Sequence, residues 1–318
     1  MISGILLMDK AEGVTSFEVV RRARRALGIR KIGHLGTLDP LATGLLPLCL
    51  LEATKLTPYL MPEPKTYRAR VRLGITTATQ DATGEVVARC EAMPSPEQIY
   101  QAAARFVGEV TQVPPMYSAV HFQGERAYRL ARRGEVADLA PRTVTVYELA
   151  VADVAIPEFT MTVRCSQGTY IRTLAQDLGE ALGCGAHLAA LRRLVVGAFR
   201  VEEALPLERL TELHREALAE RIIPLSACLP GLRPVEVGWA EARRLRQGQL
   251  LELPADDWQD GERVRVLADA ELVAVGQVRS LAAQAVLAPV RVFGGGAEAA
   301  ASQAVSNAGQ DLTGSGGC

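Results

Sequence analysis

The chain lacks a paired cysteine motif, a spaced histidine pair and any long apolar run, and each absence removes a class of function. Its six cysteines, Cys49, Cys90, Cys165, Cys184, Cys228 and Cys318, form no Cys-x-x-Cys pair, and no two of its four histidines stand at ligand spacing. No metal is therefore expected, and the thiols read as free buried groups in a reducing cytoplasm. The longest apolar stretch, 45–51, is broken by Pro47 and is too short to span a bilayer. No membrane partner is expected. Met1 to Asp9 has no basic segment ahead of its apolar residues and an acid directly after them, which excludes a signal peptide and suits a strand. There is no internal repeat. Lysine is scarce too: Lys10, Lys31, Lys55 and Lys65 are the only four, with arginine used everywhere else. Those positions are candidates for a compact ammonium that a planar guanidinium cannot replace.

A net charge of −1 excludes a protein that coats nucleic acid indiscriminately, but the charge is unevenly spread. Residues 1–72 carry twelve lysines and arginines against six acids, a net of +6, which leaves −7 for the remainder. A basic N-terminal segment suits a phosphate-bearing partner, because each contacted phosphate releases counterions. At 318 residues and 48% hydrophobic composition the chain can bury two cores.

Thr15 and Glu18 form a capping-box pattern, and Val19, Val20, Ala23 and Leu27 follow at helical spacing until Gly28. From Tyr67 to Leu73 the period changes to two, with Arg68, Arg70 and Arg72 on the opposite face. Ser95, Pro96 and Gln98 open a helix expected to close near Gly108. Strands are expected around 110–122, 142–154 and 159–165, then a helix from Tyr170 to Leu182. Two short helical runs and several prolines between Pro206 and Pro234 read as a connection, and short strands follow at 261–267, 272–278 and 288–293. Strands and helices without a regular βαβ rhythm indicate α+β with a mixed, largely antiparallel sheet. Residues 294–318, mostly Gly, Ala and Ser, have almost nothing to bury and are expected to be disordered.

The chemistry centres on Gly33-His34-Leu35-Gly36-Thr37-Leu38-Asp39-Pro40-Leu41-Ala42-Thr43-Gly44. One carboxylate stands in a loop of small and apolar residues, and such an acid must find a cation or hydrogen bond elsewhere in the fold. Its plain alternative is a helix-capping Asp in a glycine-rich connection.

This run, with Asp9-Lys10 and Gly13-Val14-Thr15-Ser16 before it and Ala53-Thr54-Lys55 after it, resembles the catalytic segment of the bacterial tRNA pseudouridine-55 synthases, the TruB family. Further blocks match in order: Lys65-Thr66-Tyr67, Asp81-Ala82-Thr83-Gly84, Pro114-Pro115-Met116-Tyr117-Ser118-Ala119, Gly168-Thr169-Tyr170-Ile171-Arg172-Thr173-Leu174, and Gly183-Cys184-Gly185-Ala186-His187-Leu188 with Leu191-Arg192-Arg193. Ala11, where the family has Pro, and His121, where a Lys is common, are departures outside the reacting groups. The resemblance covers about residues 1–230 and implies a pseudouridine synthase domain there. Residues 231–293 resemble a small PUA-type RNA-binding domain more weakly.

The resemblance implies isomerisation of a uridine in the T-loop of tRNA, recognised through shape and backbone. Atoms are conserved in that reaction, so no cofactor is required. It implies Asp39 as nucleophile or base, Arg172 as its cationic partner, and Tyr67 stacked on the base and near enough to assist loss of the C5 proton. Asp81 and Tyr170 complete the polar network, Leu191 is an apolar wall, and Lys10, Lys55 and Lys65 join the substrate site. His34 is positioned to wedge into the opened loop while the base is flipped. A soluble cytoplasmic monomer acting on the tRNA T-arm is expected. Two other readings compete with this one. A non-catalytic RNA-binding protein has no use for a carboxylate facing phosphate, and a zinc deaminase would need the His-x-Glu and Pro-Cys-x-x-Cys signature that this chain lacks.

Overall fold

The structure is a computed structural model that describes residues 3–294 except 62, 63, 119, 136, 282 and 283. Of the 294–318 tail expected to be disordered, residues 295–318 lie outside the described residues.

The N-terminal strand β1 (Gly4–Lys10) leads into helix α1 (Ser16–Leu27). Thr15 caps α1 by accepting from the Glu18 amide, and Gly28 closes it in the left-handed conformation. Such a cap contributes about 1 kcal/mol. The predicted stripe is the buried face, and covering Val19, Val20 and Leu27 contributes about 1.5–3 kcal/mol each.

Strand β2 (Thr43–Leu50) pairs antiparallel with β1, and β3 (Lys65–Leu73) carries the period-two segment. Helix α2 (Pro96–Ala104) has the predicted capping box at Ser95 but ends at Arg105, short of Gly108. Strand β4 (Gly108–Gln112) stops well before the predicted limit of 122, and only a two-residue strand, His121–Phe122, follows it. Pro114 and Pro115 account for the break, since proline supplies no ladder donor. Strands β5 (Arg142–Ala155) and β6 (Glu158–Cys165), helix α3 (Ile171–Ala181) and strand β7 (Ala186–Val196) complete the unit.

The large sheet runs β1–β2–β7–β3–β6–β5–β4, with short strands on its margins. Only the β2–β7 contact, Arg192 opposite Thr43 and Arg193 opposite Gly44, is parallel along this path. This short contact fixes the loop that enters β2. A Cβ on Gly44 would lie 2.3 Å from the Arg193 carbonyl oxygen and 2.8 Å from its amide, and its φ is +97°, so glycine is required there.

On one face of β3, Ala69, Val71 and Leu73 pack with α3 and with Leu38 and Ala42 of the Asp39 loop, so the hydrophobic core itself seats that loop. The other face exposes Arg68, Arg70 and Arg72, the last two facing Glu158.

The C-terminal part holds β8 (Arg233–Glu236), helix α4 (Trp239–Arg246), β9 (Leu251–Glu252), β10 (Arg263–Ala268), β11 (Glu271–Leu281) and β12 (Gln284–Val292). These strands form a separate five-stranded sheet in the order β8–β10–β11–β12–β9. Its Leu267, Leu272 and Val275, with Phe293, share one buried cluster with Ile5, Leu7 and Leu45 of the large sheet. The fold is α+β with a mixed, mainly antiparallel sheet and a β-rich C-terminal unit. No helix among the described residues is long and apolar enough to cross a membrane.

Candidate active site

A cleft of about 570 Å³ opens where the Asp39 loop, β3, the start of α3 and β7 converge. Asp39, Lys65, Tyr67, Tyr170, Arg172 and Leu191 all line it, although they come from four separate sequence blocks.

Arg172 is its electrostatic centre. The side chain is only 4% exposed, and its Nε lies 2.9 Å from Asp39 Oδ2, whose side chain is 38% exposed. Its other nitrogens donate to the Thr79 carbonyl at 3.1 Å and the Tyr117 carbonyl at 2.9 Å. A guanidinium held on both sides in this way cannot turn away from Asp39. Burial raises the Asp39 carboxyl above its ordinary range, while Arg172 opposes that rise by favouring the anion.

Asp81 stands behind Arg172, with Oδ2 3.8 Å from Nη1. Its Oδ1 accepts from the Thr79 hydroxyl at 2.6 Å, the Thr83 hydroxyl at 2.6 Å and the Thr83 amide at 3.0 Å. Asp81 thereby shapes the turn that presents the Thr79 carbonyl to Arg172.

Tyr67 is buried enough to raise its phenol pKa, so it is neutral at physiological pH. The Arg193 guanidinium faces it and works against that rise. Tyr67 and Arg193 are direct ladder partners on β3 and β7. Arg193 is 1% exposed, and it donates from Nε to the Leu45 carbonyl at 2.7 Å and from Nη2 to the Gly36 carbonyl at 3.1 Å. Gly36 and Leu45 flank Asp39 in sequence, so this one side chain clasps both ends of the acid's loop. Arg193 stands in the Leu191-Arg192-Arg193 block, where the resemblance assigns it no role. Its double-glycine neighbourhood, Gly36 and Gly44, was the available signal.

Tyr170 is fixed through its backbone: Gln112 accepts from its amide at 3.0 Å and donates to its carbonyl at 3.2 Å. Gln112 escaped notice because it lies 58 residues away in the chain. Ser118 was also missed; it lines the cleft with a buried hydroxyl that has no partner among the described residues.

The remaining predicted residues lie outside the cleft lining. Lys10 is fully buried, and its ammonium donates to the carbonyls of Ala11 at 2.9 Å, Val14 at 2.6 Å and Pro40 at 3.2 Å. Three donors radiating from one nitrogen explain why lysine stands there, and the contact to Pro40 braces the residue after Asp39. Burial pulls its pKa down to about 8. Lys55 pairs with Glu52 and donates to the Val292 carbonyl at 3.1 Å, joining the two sheets. His34 lies on a short strand, Ile32–His34, paired with β2. Burial and the Arg193 charge lower its pKa, which favours the neutral ring.

The chain's similarities extend over the whole of this architecture. Residues 24–171 match the TruB family pseudouridylate synthase N-terminal domain, and residues 172–230 match the tRNA pseudouridylate synthase B C-terminal domain. The chain is 44% identical over 301 residues to the tRNA pseudouridine synthase B of Burkholderia pseudomallei (strain 668), covering 93% of this chain and 98% of that one. It is 48% identical over 269 residues to the protein of the same name from Ralstonia nicotianae, covering 83% and 85%. Among solved structures, a Cbf5-Nop10-Gar1 complex matches with a TM-score of 0.71 at 27% identity, over 92% of this chain and 85% of that one. An H/ACA RNP bound to a substrate RNA containing 2'-deoxyuridine matches with a TM-score of 0.70 at 25% identity, over the same shares.

Proposed function

This chain belongs to the TruB family of pseudouridylate synthases, and we propose that it isomerises the uridine at position 55, in the T-loop of tRNA, with Asp39 as the reacting carboxylate. It is an isomerase of tRNA uridine; the position and the residue roles are our reading. The observation that carries them is the Asp39–Arg172 pair, one half-open carboxylate held at 2.9 Å by a buried, doubly anchored guanidinium.

The reaction breaks the bond from ribose C1′ to N1, turns the uracil, joins C1′ to C5, and releases the C5 proton. A carboxylate suffices to start it, as nucleophile or base. Arg172 favours the ionised form of Asp39 against its burial, and Asp81 fixes Arg172. Tyr67 and Leu191 wall the space for the base, and we assign Tyr67 to stack on it and assist loss of the C5 proton. A base stacked in a folded loop cannot meet a carboxylate at the bottom of a cleft, so the uridine is flipped out, with His34 filling the opened loop.

We assign catalysis to residues 1–230 and further tRNA contact to 231–293, a division supported by strands β8 to β12 pairing only with one another. We further propose that it acts as a monomer, and a tRNA substrate supports action in the cytoplasm.

Carbodiimide mapping tests the position. Unmodified tRNA treated with the full chain should give one new primer-extension stop, in the T-loop. Stops elsewhere, or at several uridines, would overturn the assignment of position 55.

A further inference from the structure

Four cationic side chains line the cleft, and three have protein partners. Arg172 faces Asp39 and two carbonyls, Arg193 holds the Gly36 and Leu45 carbonyls, and Lys65 donates to the Met61 carbonyl. Arg142 differs. It begins strand β5, is half-buried, and has no acceptor or carboxylate partner among the described residues. Its guanidinium lies 5.7 Å from the centre of the Tyr170 ring, and its Nη1 lies 3.8 Å from where a Cβ on Gly168 would stand.

That placement is built. Arg142 and Gln112 are ladder partners on β5 and β4, and Gln112 holds both backbone groups of Tyr170. The Ser166–Tyr170 turn beneath Arg142 is tied to β5 in turn, since the Ser166 amide donates to the Thr145 carbonyl at 2.8 Å and the Thr145 amide donates to the Ser166 hydroxyl at 2.9 Å. A side chain with five donors, set beside the ring of a residue whose backbone is held and lining the cleft, is placed to take a bidentate oxyanion ligand.

We propose that Arg142 binds a backbone phosphate directly beside the flipped uridine, so that a charge contact at the cleft mouth fixes the nucleotide whose base lies against Tyr67. This rests on the proposed function and adds to it a specific phosphate subsite. Nonspecific attraction would come from any exposed arginine. A subsite instead couples one residue to one phosphate.

The test is a double-substitution cycle on the full chain with a T-arm stem-loop. Neutral methylphosphonate linkages are placed one at a time on either side of the target uridine, and affinity is read by filter binding. Arg142→Met should weaken binding about tenfold or more and reduce the dependence of log Kd on log salt by about one unit. One methylphosphonate should weaken the wild-type complex by a similar factor and leave the Arg142→Met complex almost unchanged. Arg142→Lys should recover part of the loss. Independent losses at every linkage, or a variant that binds as the wild type does, would overturn the subsite. If the wild-type chain left the unsubstituted stem-loop unmodified, the proposed function would fail instead, so the two failures are distinguishable.

Discussion

Asp39→Asn should lower the single-turnover rate on tRNA by on the order of 10⁴-fold or more while leaving affinity within a few-fold of wild type. The exchange keeps the side chain's size and its contact with Arg172 and removes only the ionised oxygen. RNA contacts elsewhere on the cleft are untouched. Quench-flow under saturating enzyme separates the two quantities, since a pure binding defect would disappear at saturation. A variant that turned over within tenfold of wild type would remove Asp39 from the chemistry.

Arg172→Lys should produce the second largest loss, on the order of 10²- to 10³-fold in kcat, although charge is conserved. An ammonium cannot reach Asp39 and the Thr79 and Tyr117 carbonyls together as the guanidinium does. The pH profile gives a sharper readout. Burial already raises the Asp39 carboxyl above its ordinary range and Arg172 opposes that rise, so the wild-type rate should fall as pH drops through this elevated value. Weakening the cation removes the opposing effect and raises the pKa further. The acid limb of kcat/KM should therefore move to higher pH in Arg172→Lys. A lower kcat with an unmoved limb would show that Arg172 serves some purpose other than holding Asp39 ionised. Thermal unfolding of the variant checks that the fold survives, because losing the guanidinium leaves the Thr79 and Tyr117 carbonyls without their donors.

What the sequence revealed follows the range of its signals. Helix α1 was legible down to its caps because Thr15 and Gly28 act within a few residues of the backbone they satisfy, although the Glu18 carboxylate of the expected capping box turns to Arg21 and Arg22. The strand face of Tyr67 was legible because period two is local. Strand β7 was left unassigned, although it joins β2 to β3 at the middle of the sheet. Its register with β3 shifts between Leu188 and Ala190 and again between Arg193 and Val195, which breaks the alternation that would have announced a strand. Arg193 was missed for the same reason, since its partners Gly36, Leu45 and Tyr67 are more than a hundred residues away. Lysine scarcity carried real information, but its meaning at Lys10 differs from the substrate contact first expected of it. The ammonium is turned inward to three carbonyls, a pattern that no local spacing encodes. Asp39 stood out because an Asp among glycines and apolar residues demands a partner; local chemistry did not supply that partner, which the resemblance named as Arg172 and the fold sets 2.9 Å away at the start of α3.

The fate of the C5 hydrogen tests uridine isomerisation in this cleft most directly. A T-arm stem-loop labelled with tritium at C5 of its target uridine should release one tritium per RNA to water when treated with the full chain, and the released amount should match the pseudouridine formed in that loop. Label retained in an RNA that the chain binds would contradict the claim that this cleft isomerises uridine.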